Sequence, residues 1–513
     1  MTLRRLLLLS LLAAAFLGVI AFRVVTRPLQ PLDAHPMAQC TPIAPSVGRV
    51  FHLDPIRGSN DGDGSAERPW RDLRYLVAAG KIGEQRRELH LFDRAWAAVM
   101  HQVPVVRSRE QKDALIRSGD TVLMASGDYG PVDLSNLANR GFVTFAAAPG
   151  ASVRFAELNL TGASHFVFRG ISVTGGRSSP DKFLVNTHLP GPLRADNIVF
   201  DQITVSSSLP IGTTEPQLFA DSAPNGVRLA GDCLTLRDSR LHDLQSVVNV
   251  YRGRRVTLAN NTIHDFSADG VQFSGQHLTI RDNVVFDQWP TPSPLHPDCM
   301  HGQPPDDQLF GPVMISGNIC ARSFAGGSRD ALASARADRF GWQGINIFDG
   351  RWRRVTVSCN VVLPAAQHGI ALYGTEQSLI EHNVVAAFTK GRPSWIAAMP
   401  SHEGRQPSDV VIRENLATAY INAVQNAPQP MDAMIDAIKI NPRDKAINAT
   451  LRQPIKGVEL ADNTWLVVDG KTDTRLVDDA RFVKAEVPAL GMPRNAQELR
   501  RLYPLPPACK RPA

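Results

Sequence analysis

The sequence predicts an all-β protein, a single-stranded parallel solenoid with coils of about 22 residues, on three observations. Gly231, Gly253 and Gly275 lie 22 apart, as do Asp243, Asp265 and Asp287, and Ser239, Asn261 and Asn283. The stretches LTLRDS, VTLANN and LTIRDN stand at one phase of that period and alternate apolar with polar residues, as a strand with one buried face must. The same step returns as VMISGN, VTVSCN, SLIEHN, VVIREN and VELADN, so Asn318, Asn360, Asn383, Asn415 and Asn463 extend a column begun by Asn261 and Asn283. No helical period fits these runs. A repeat of this length that cannot bury its apolar face alone must stack on its neighbours. Asn tolerates the left-handed backbone that closes each coil, and stacked Asn side chains can bond along the column as a ladder.

Taken in order, the chain opens with LRRLLLLSLLAAAFLGVIAFRVVTR (3–27), an apolar run from Leu6 to Phe22 between Arg4, Arg5 and Arg23. Seventeen residues is the short limit for a bilayer span and long for a signal-peptide core. With no small-x-small site after Phe22, residues 1–27 are read as an inner-membrane anchor with the rest facing the periplasm; a cleaved signal, and hence secretion, is the alternative. A Pro-rich linker follows at 28–46. The solenoid is placed at 47–470, entered by a strand and turn at 50–73. Residues 74–117 have a helical pattern and are expected to cap the open end of the stack, which otherwise exposes core and strand edge. Coils run from 121 to 210, a loop spans 209–224, and the exact repeats begin at Asn225. Insertions at 287–311 and 321–342 lengthen neighbouring coils, where solenoids build binding grooves. The last coils are broken by a loop at 390–408, and 471–513, with the helical pattern NAQELRRLY, is expected to be the C-terminal cap.

Charge excludes some partners. A formal charge of +6 without Lys/Arg tracts argues against nucleic acid and mildly favours an acidic polymer. Export permits disulfides among the six cysteines; Cys320 with Cys359, and Cys40 with Cys509, are the pairings weighed, and no CxxC metal pattern occurs. A capped solenoid is expected to be a monomer.

The column of Asn residues resembles the Asn ladder of the right-handed parallel β-helix in the pectate-lyase-like superfamily. FHLDPIRGSNDGDGSAERPWRDL (51–73), then SGDTVLMASGDYG (118–130), is similar to that superfamily's entry of strand, Gly/Asp/Asn-rich turn ending at Pro69-Trp70, and Gly-Asp-Thr strand. The resemblance covers residues 50–470 and implies a right-handed parallel β-helix acting on or binding polysaccharide. It does not choose between lyase, hydrolase, epimerase and binder, since one fold hosts all of them.

Aligning the leading strand of each coil gives NGVR (225–228), SVVN (246–249), DGVQ (269–272), DCMH (298–301), QGIN (343–346) and HGIA (368–371). The third position is always apolar and faces the core, so the fourth faces out, making an exposed polar file of Arg228, Asn249, Gln272, His301 and Asn346. Anchoring Asn249 and Asn346 on the following Gly would instead turn them inward. Asp269, Asp298 and His368 edge the file at the first position. HPDCMHG is its densest point, and places His301, Asp298, His296 and Asp269 as candidate catalytic residues. Gln272, Asn346, Arg228, Arg351, His368 and Trp342 are the candidate substrate ligands, with Trp289 and Trp352 as further rings for stacking on sugars. The plainer alternative is a solvated strand edge with Asp making turns. Asp243, Asp265 and Asp287 are read as turn caps before calcium ligands; calcium is the one cofactor considered, and no metal ligand is assigned.

Three functions fit. In the first, His301 is the base that abstracts the proton α to a uronate carboxylate, faced by Arg228 or Arg351, and the product is that of a lyase or C5-epimerase. HPDCMH has some likeness to the Asp-Pro-His-Asp element of mannuronan epimerases, in a different order. In the second, Asp269 and Asp298 are the carboxylate pair of a glycoside hydrolase; the paired-Asp, Gly-His-Gly and Arg-x-Lys pattern of polygalacturonases is missing, and QHGIALYG (367–374) matches only part of it. In the third, the chain binds or guides a polysaccharide without catalysis.

Overall fold

The computed structural model describes residues 37–43, 47–93, 96, 104–188, 193–209, 221–289, 297–321, 342–364, 366–386, 394–421, 455–467, 482–484 and 507–509. The N-terminal apolar run, His296, most of the 321–342 insertion and NAQELRRLY lie outside them. Among the described residues no helix is long and apolar enough to cross a membrane.

The chain coils into a parallel β-helix with three strand columns. The first stacks Phe183–Asn186, Asn225–Leu229, Val248–Arg254, Val271–Gln276, Asp298–Gly302, Gln343–Ile347, His368–Tyr373 and Trp395–Met399, each parallel to the next. The second includes Gly231–Arg237, Thr257–Ala259, Leu278–Arg281, Val313–Ser316 and Val355–Ser358. The third includes Arg240–Leu244, Thr262–Phe266, Val284–Gln288, Ile319–Ala321 and Val361–Leu363. It reaches Phe482–Lys484 through Thr464–Val467, so pairing continues past residue 470.

Inward residues of all three columns share one core, where like stacks on like: Phe145, Phe168 and Phe200 lie 5.6 and 5.9 Å apart, centroid to centroid. The Asn ladder is continuous. Each amide oxygen from Asn261 to Asn463 accepts the preceding ladder residue's backbone N–H at 2.9–3.1 Å. From Asn261 onward each Nδ2 also donates to the next Oδ1 at 2.9–3.0 Å. Ser239 stands where the ladder begins, its hydroxyl accepting from Ile203 N. These buried amides satisfy backbone groups that the turns would otherwise leave unpaired.

Asp243, Asp265 and Asp287 sit at the far corner with φ of 57°, 52° and 54°. Their place is conformational, since Asp reaches the left-handed region more readily than branched residues. The Asp243 and Asp265 carboxylates meet Nδ1 of His242 and His264 at 2.6 and 2.7 Å.

Three expectations are corrected. The 74–117 cap is not helical throughout: among the described residues Leu73–Ala78, 91–93 and 96 are helical, with Asp72 accepting from Arg74 N and with Leu73 and Leu76 buried, while Gln85–Glu88 and Arg107–Glu110 form an antiparallel ribbon. The disulfides are Cys40–Cys233, Cys299–Cys320 and Cys359–Cys509, and no cysteine is free. Cys320 cannot reach Cys359, because Cys320 follows its ladder Asn by two residues and points into the core, whereas Cys359 precedes its own at a left-handed corner with φ of 58°.

Candidate active site

The first column carries the site, and its register is the one the alignment implies. Asn186, Arg228, Asn249, Gln272, His301, Asn346 and Ala371 are consecutive partners across seven coils. Neighbouring strands stack about 4.8 Å apart, so this file is a continuous track. It is less exposed than expected: Asn186 to His301 are half-buried, and Asn346 is 0% exposed. Past Asn346 the outward position becomes Ala371 and then Ala397, packed with Phe348, Tyr373, Trp395, Met399 and Ile421. This apolar cluster closes the polar track at its C-terminal end.

The first position of each strand forms a second file, Asp269, Asp298, Gln343 and His368. Gly sits after three of these residues because the coils approach closely there; a Cβ on Gly344 would lie 2.0 Å from the Gly369 carbonyl oxygen. Cys299 takes that place in the remaining coil and bonds to Cys320 in the core.

The two files meet in one network. Asn249 Nδ2 donates to Gln272 Oε1 at 2.8 Å, and Gln272 Nε2 donates to Asp269 Oδ2 at 2.7 Å. Asp269 Oδ1 accepts the backbone N–H of Asp298 at 2.8 Å. Asn346 Nδ2 donates to Asp298 Oδ1 at 2.5 Å and to Gln343 Oε1 at 3.3 Å, and Gln343 Oε1 also meets His368 Nδ1 at 2.8 Å. His301 Nδ1 lies between two carboxylates, 3.5 Å from Asp269 Oδ2 and 3.7 Å from Asp298 Oδ2. No described residue bonds its Nε2.

Protonation follows from this placement. Burial alone opposes charge on His301, but the contact with Asp269 and the charges of Asp298, Asp269 and Asp349 overcome it and lift the imidazole to about 9. Burial would likewise raise Asp269; His301, the Asp298 N–H and Gln272 hold it below the usual carboxylate range instead. At neutral pH the centre is therefore an imidazolium backed by at least one buried carboxylate. This corrects two expected roles. His301 is an acid or a cation at neutral pH, not a resting base. Asp298 (0% exposed) and Asp269 (7%) are covered by the file above them, with Gln272, Asn346 and His301 on their carboxylates, so they are not a carboxylate pair presented to a glycosidic oxygen. Ligand atoms of Asp269, Asp298 and His301 fall within 4.8 Å of one another. These three residues supply three ligand atoms, against the six to eight oxygens that calcium usually takes.

The remaining candidates divide. His368 joins the network from behind, among Phe348, Tyr373 and Trp395. Arg228 keeps its place in the file three strands from His301, its guanidinium 4.1 Å over the Phe183 ring. Arg351 belongs to a separate cavity. The tryptophans are not in the track: Trp342 and Trp352 are core, and Trp289 packs on Ala223 while donating to Asp265 Oδ1.

Sequence reading missed a second histidine. His402, in the loop after Trp395–Met399, meets Asp349 Oδ1 through Nδ1 at 2.9 Å. Both residues are half-exposed, and the His301 and His402 rings lie 6.0 and 6.1 Å from the Phe348 ring. Arg405 fixes this turn by donating to Gly350 O at 2.7 Å and Asp307 Oδ1 at 2.5 Å. The only sequence signal was a His in a loop that interrupts the period on the same side as the file.

The fold is thus a right-handed parallel β-helix, with a polar track and a histidine centre on one sheet. Residues 202–391 match the family model described as a right handed beta helix region. No curated protein matches the chain in sequence. Among solved structures, pectate lyase Pel9A is similar at 12% identity over 73% of this chain and 80% of its own, with a TM-score of 0.37. The complex of XylC with xylose is similar at 10% identity over 81% and 83%, TM-score 0.39. The Azotobacter vinelandii mannuronan C-5 epimerase AlgE4 A-module is similar at 14% over 59% and 80%, TM-score 0.36. At such identities the chemistry rests on the geometry of this chain's own residues.

Proposed function

We propose that this protein is an exported carbohydrate-active enzyme that removes the proton α to the carboxylate of a uronate residue in an acidic polysaccharide, as a lyase or C5-epimerase. The observation that supports it best is His301, held as a cation in an outward register position by two carboxylates that cannot themselves reach a substrate.

Such a reaction needs a positive group on the uronate carboxylate, so that the electron pair released by C–H cleavage can delocalise into it, and a neutral base beside the carbon. His301 Nε2–H supplies the first. We assign the second role to His402: in the neutral tautomer whose Nδ1–H is donated to Asp349, Nε2 is the basic nitrogen. Expelling the 4-linked sugar oxygen, with a proton delivered to it, leaves a C4–C5 double bond and completes a lyase reaction. Returning a proton to the opposite face of C5 completes an epimerisation with no bond to the polymer broken. Asn249 and Gln272 offer amides to the hydroxyls of flanking sugars along the track, and Arg228 offers a charge farther along. Pairing of all six cysteines supports an oxidising compartment, in keeping with export.

The test is a panel of uronate-containing and neutral polysaccharides incubated in deuterated water with wild type and His301→Gln. Ultraviolet absorbance of an unsaturated product, lost in the variant, supports the lyase; deuterium at C5 without cleavage supports the epimerase. Binding with neither signal would replace this reading with a non-catalytic polysaccharide scaffold, and new reducing ends without absorbance would favour a hydrolase.

A further inference from the structure

We propose that a cavity of about 440 Å³ beside the catalytic turn is a second anion site, built to hold a polyanionic glycan through Arg351 and Arg353. This deepens the polysaccharide reading by naming the charge its ligand must carry, yet it does not depend on the reaction at His301. The cavity is walled by Arg351, Arg353 and Arg354 on one side and by Gln308–Pro312 on the other, with none of the His301 network in its lining.

Three observations carry the assignment. Arg351 and Arg353 flank Trp352 on one short strand; the indole is core, so both guanidiniums project to the outer face about 6.6 Å apart along the backbone. Their neighbours are engaged: Arg252 with Asp306, Arg254 and Arg194 with Asp232, Arg405 with Asp307 and Glu403. Arg351, Arg353 and Arg354 have no ion pair among the described residues. The carboxylates at hand do not supply one, since Asp307 on the cavity wall is taken by Arg405, and Glu376, in register with Arg353 on the next coil, makes no bridge to it.

Three adjacent guanidiniums repel one another, and a concave wall with amide donors concentrates the field. An anion relieves that repulsion, and the guanidinium fork suits carboxylate, sulfate or phosphate oxygens. Two arginines spaced two residues apart select for two anionic groups on one ligand over a single small ion. Asp349, the partner of His402, precedes Arg351 by two residues, so a glycan seated here lies beside the proposed reaction centre, off the main track.

The full chain is titrated by calorimetry with an oligogalacturonate, its neutral reduced counterpart and inorganic sulfate. The oligogalacturonate is expected to bind, the neutral oligomer at least tenfold more weakly, and sulfate only at much higher concentration. In Arg351→Gln/Arg353→Gln the strongly salt-dependent binding step should lose at least tenfold in affinity, while His301→Gln, which weakens only the main track, should keep that step. Arg351→Lys/Arg353→Lys, which keeps the charge, should recover part of the affinity and confirms that the loss is not misfolding. Unchanged affinity in the double Gln variant, equal affinity for the neutral oligomer, or sulfate binding as tightly as the oligomer would overturn the proposal. Loss in His301→Gln alone would place the binding in the main track.

Discussion

Replacing His301 by Gln removes a group whose charge the fold has been built around, and the size of the effect can be worked from its surroundings. The imidazole rises from an ordinary value of 6.5 to about 9 between Asp269 and Asp298. A shift of roughly 2.5 units corresponds to about 3 kcal/mol of folding free energy. Because the folded value is the higher one, that stabilisation is fully present below about pH 6.5 and is lost as pH rises through about 9. Wild type should therefore lose about 3 kcal/mol between roughly pH 7 and pH 10, beyond whatever other groups contribute. His301→Gln should lack this component over the same window, since no proton is left to release there. Guanidinium unfolding followed by circular dichroism at several pH values, with wild type and variant compared at each, measures the difference directly. If the two proteins show the same slope above neutrality, His301 is not held as a cation and its role in the proposed reaction falls with it.

Other consequences are independent of that one. Asn318→Ala removes four bonds, two accepted from Asn283 and two donated to Ile280 O and Asn360 Oδ1, and should destabilise by about 3–5 kcal/mol in chemical denaturation; Ser239→Ala at the ladder's start should cost about 1 kcal/mol. Cys359→Ser opens a 150-residue loop and should lower stability by about 5 kcal/mol, read from the denaturation midpoint against wild type under oxidising conditions. His402→Gln should lower turnover of the responsive polymer by about 10²–10⁴-fold with a smaller change in KM, and Asp349→Asn should lower it less while altering the acid limb of the pH profile.

The local and periodic features of this protein were determined by its sequence. The 22-residue spacing, the Asn column and the alternation VQF, CMH, GIN set both the coil and the register, which is why Gln272, His301 and Asn346 fall on adjacent strands. Strand alternation is a two-residue rule, and repeats carry it forward without any knowledge of distant contacts. Tertiary structure decided what that rule cannot reach. Whether an outward residue is exposed depends on what the loops cover: Asn346 is buried, and Trp342, Trp289 and Trp352 turn to packing. Disulfide partners depend on which corner of the coil a cysteine occupies, so Cys320 pairs across the core and Cys359 with the C-terminal segment. The protonation of His301 depends on two carboxylates, one of them from a neighbouring coil, and the His402–Asp349 pair joins turns 53 residues apart. Charge and proton position are set by distances across coils, and only the closed stack fixes those distances.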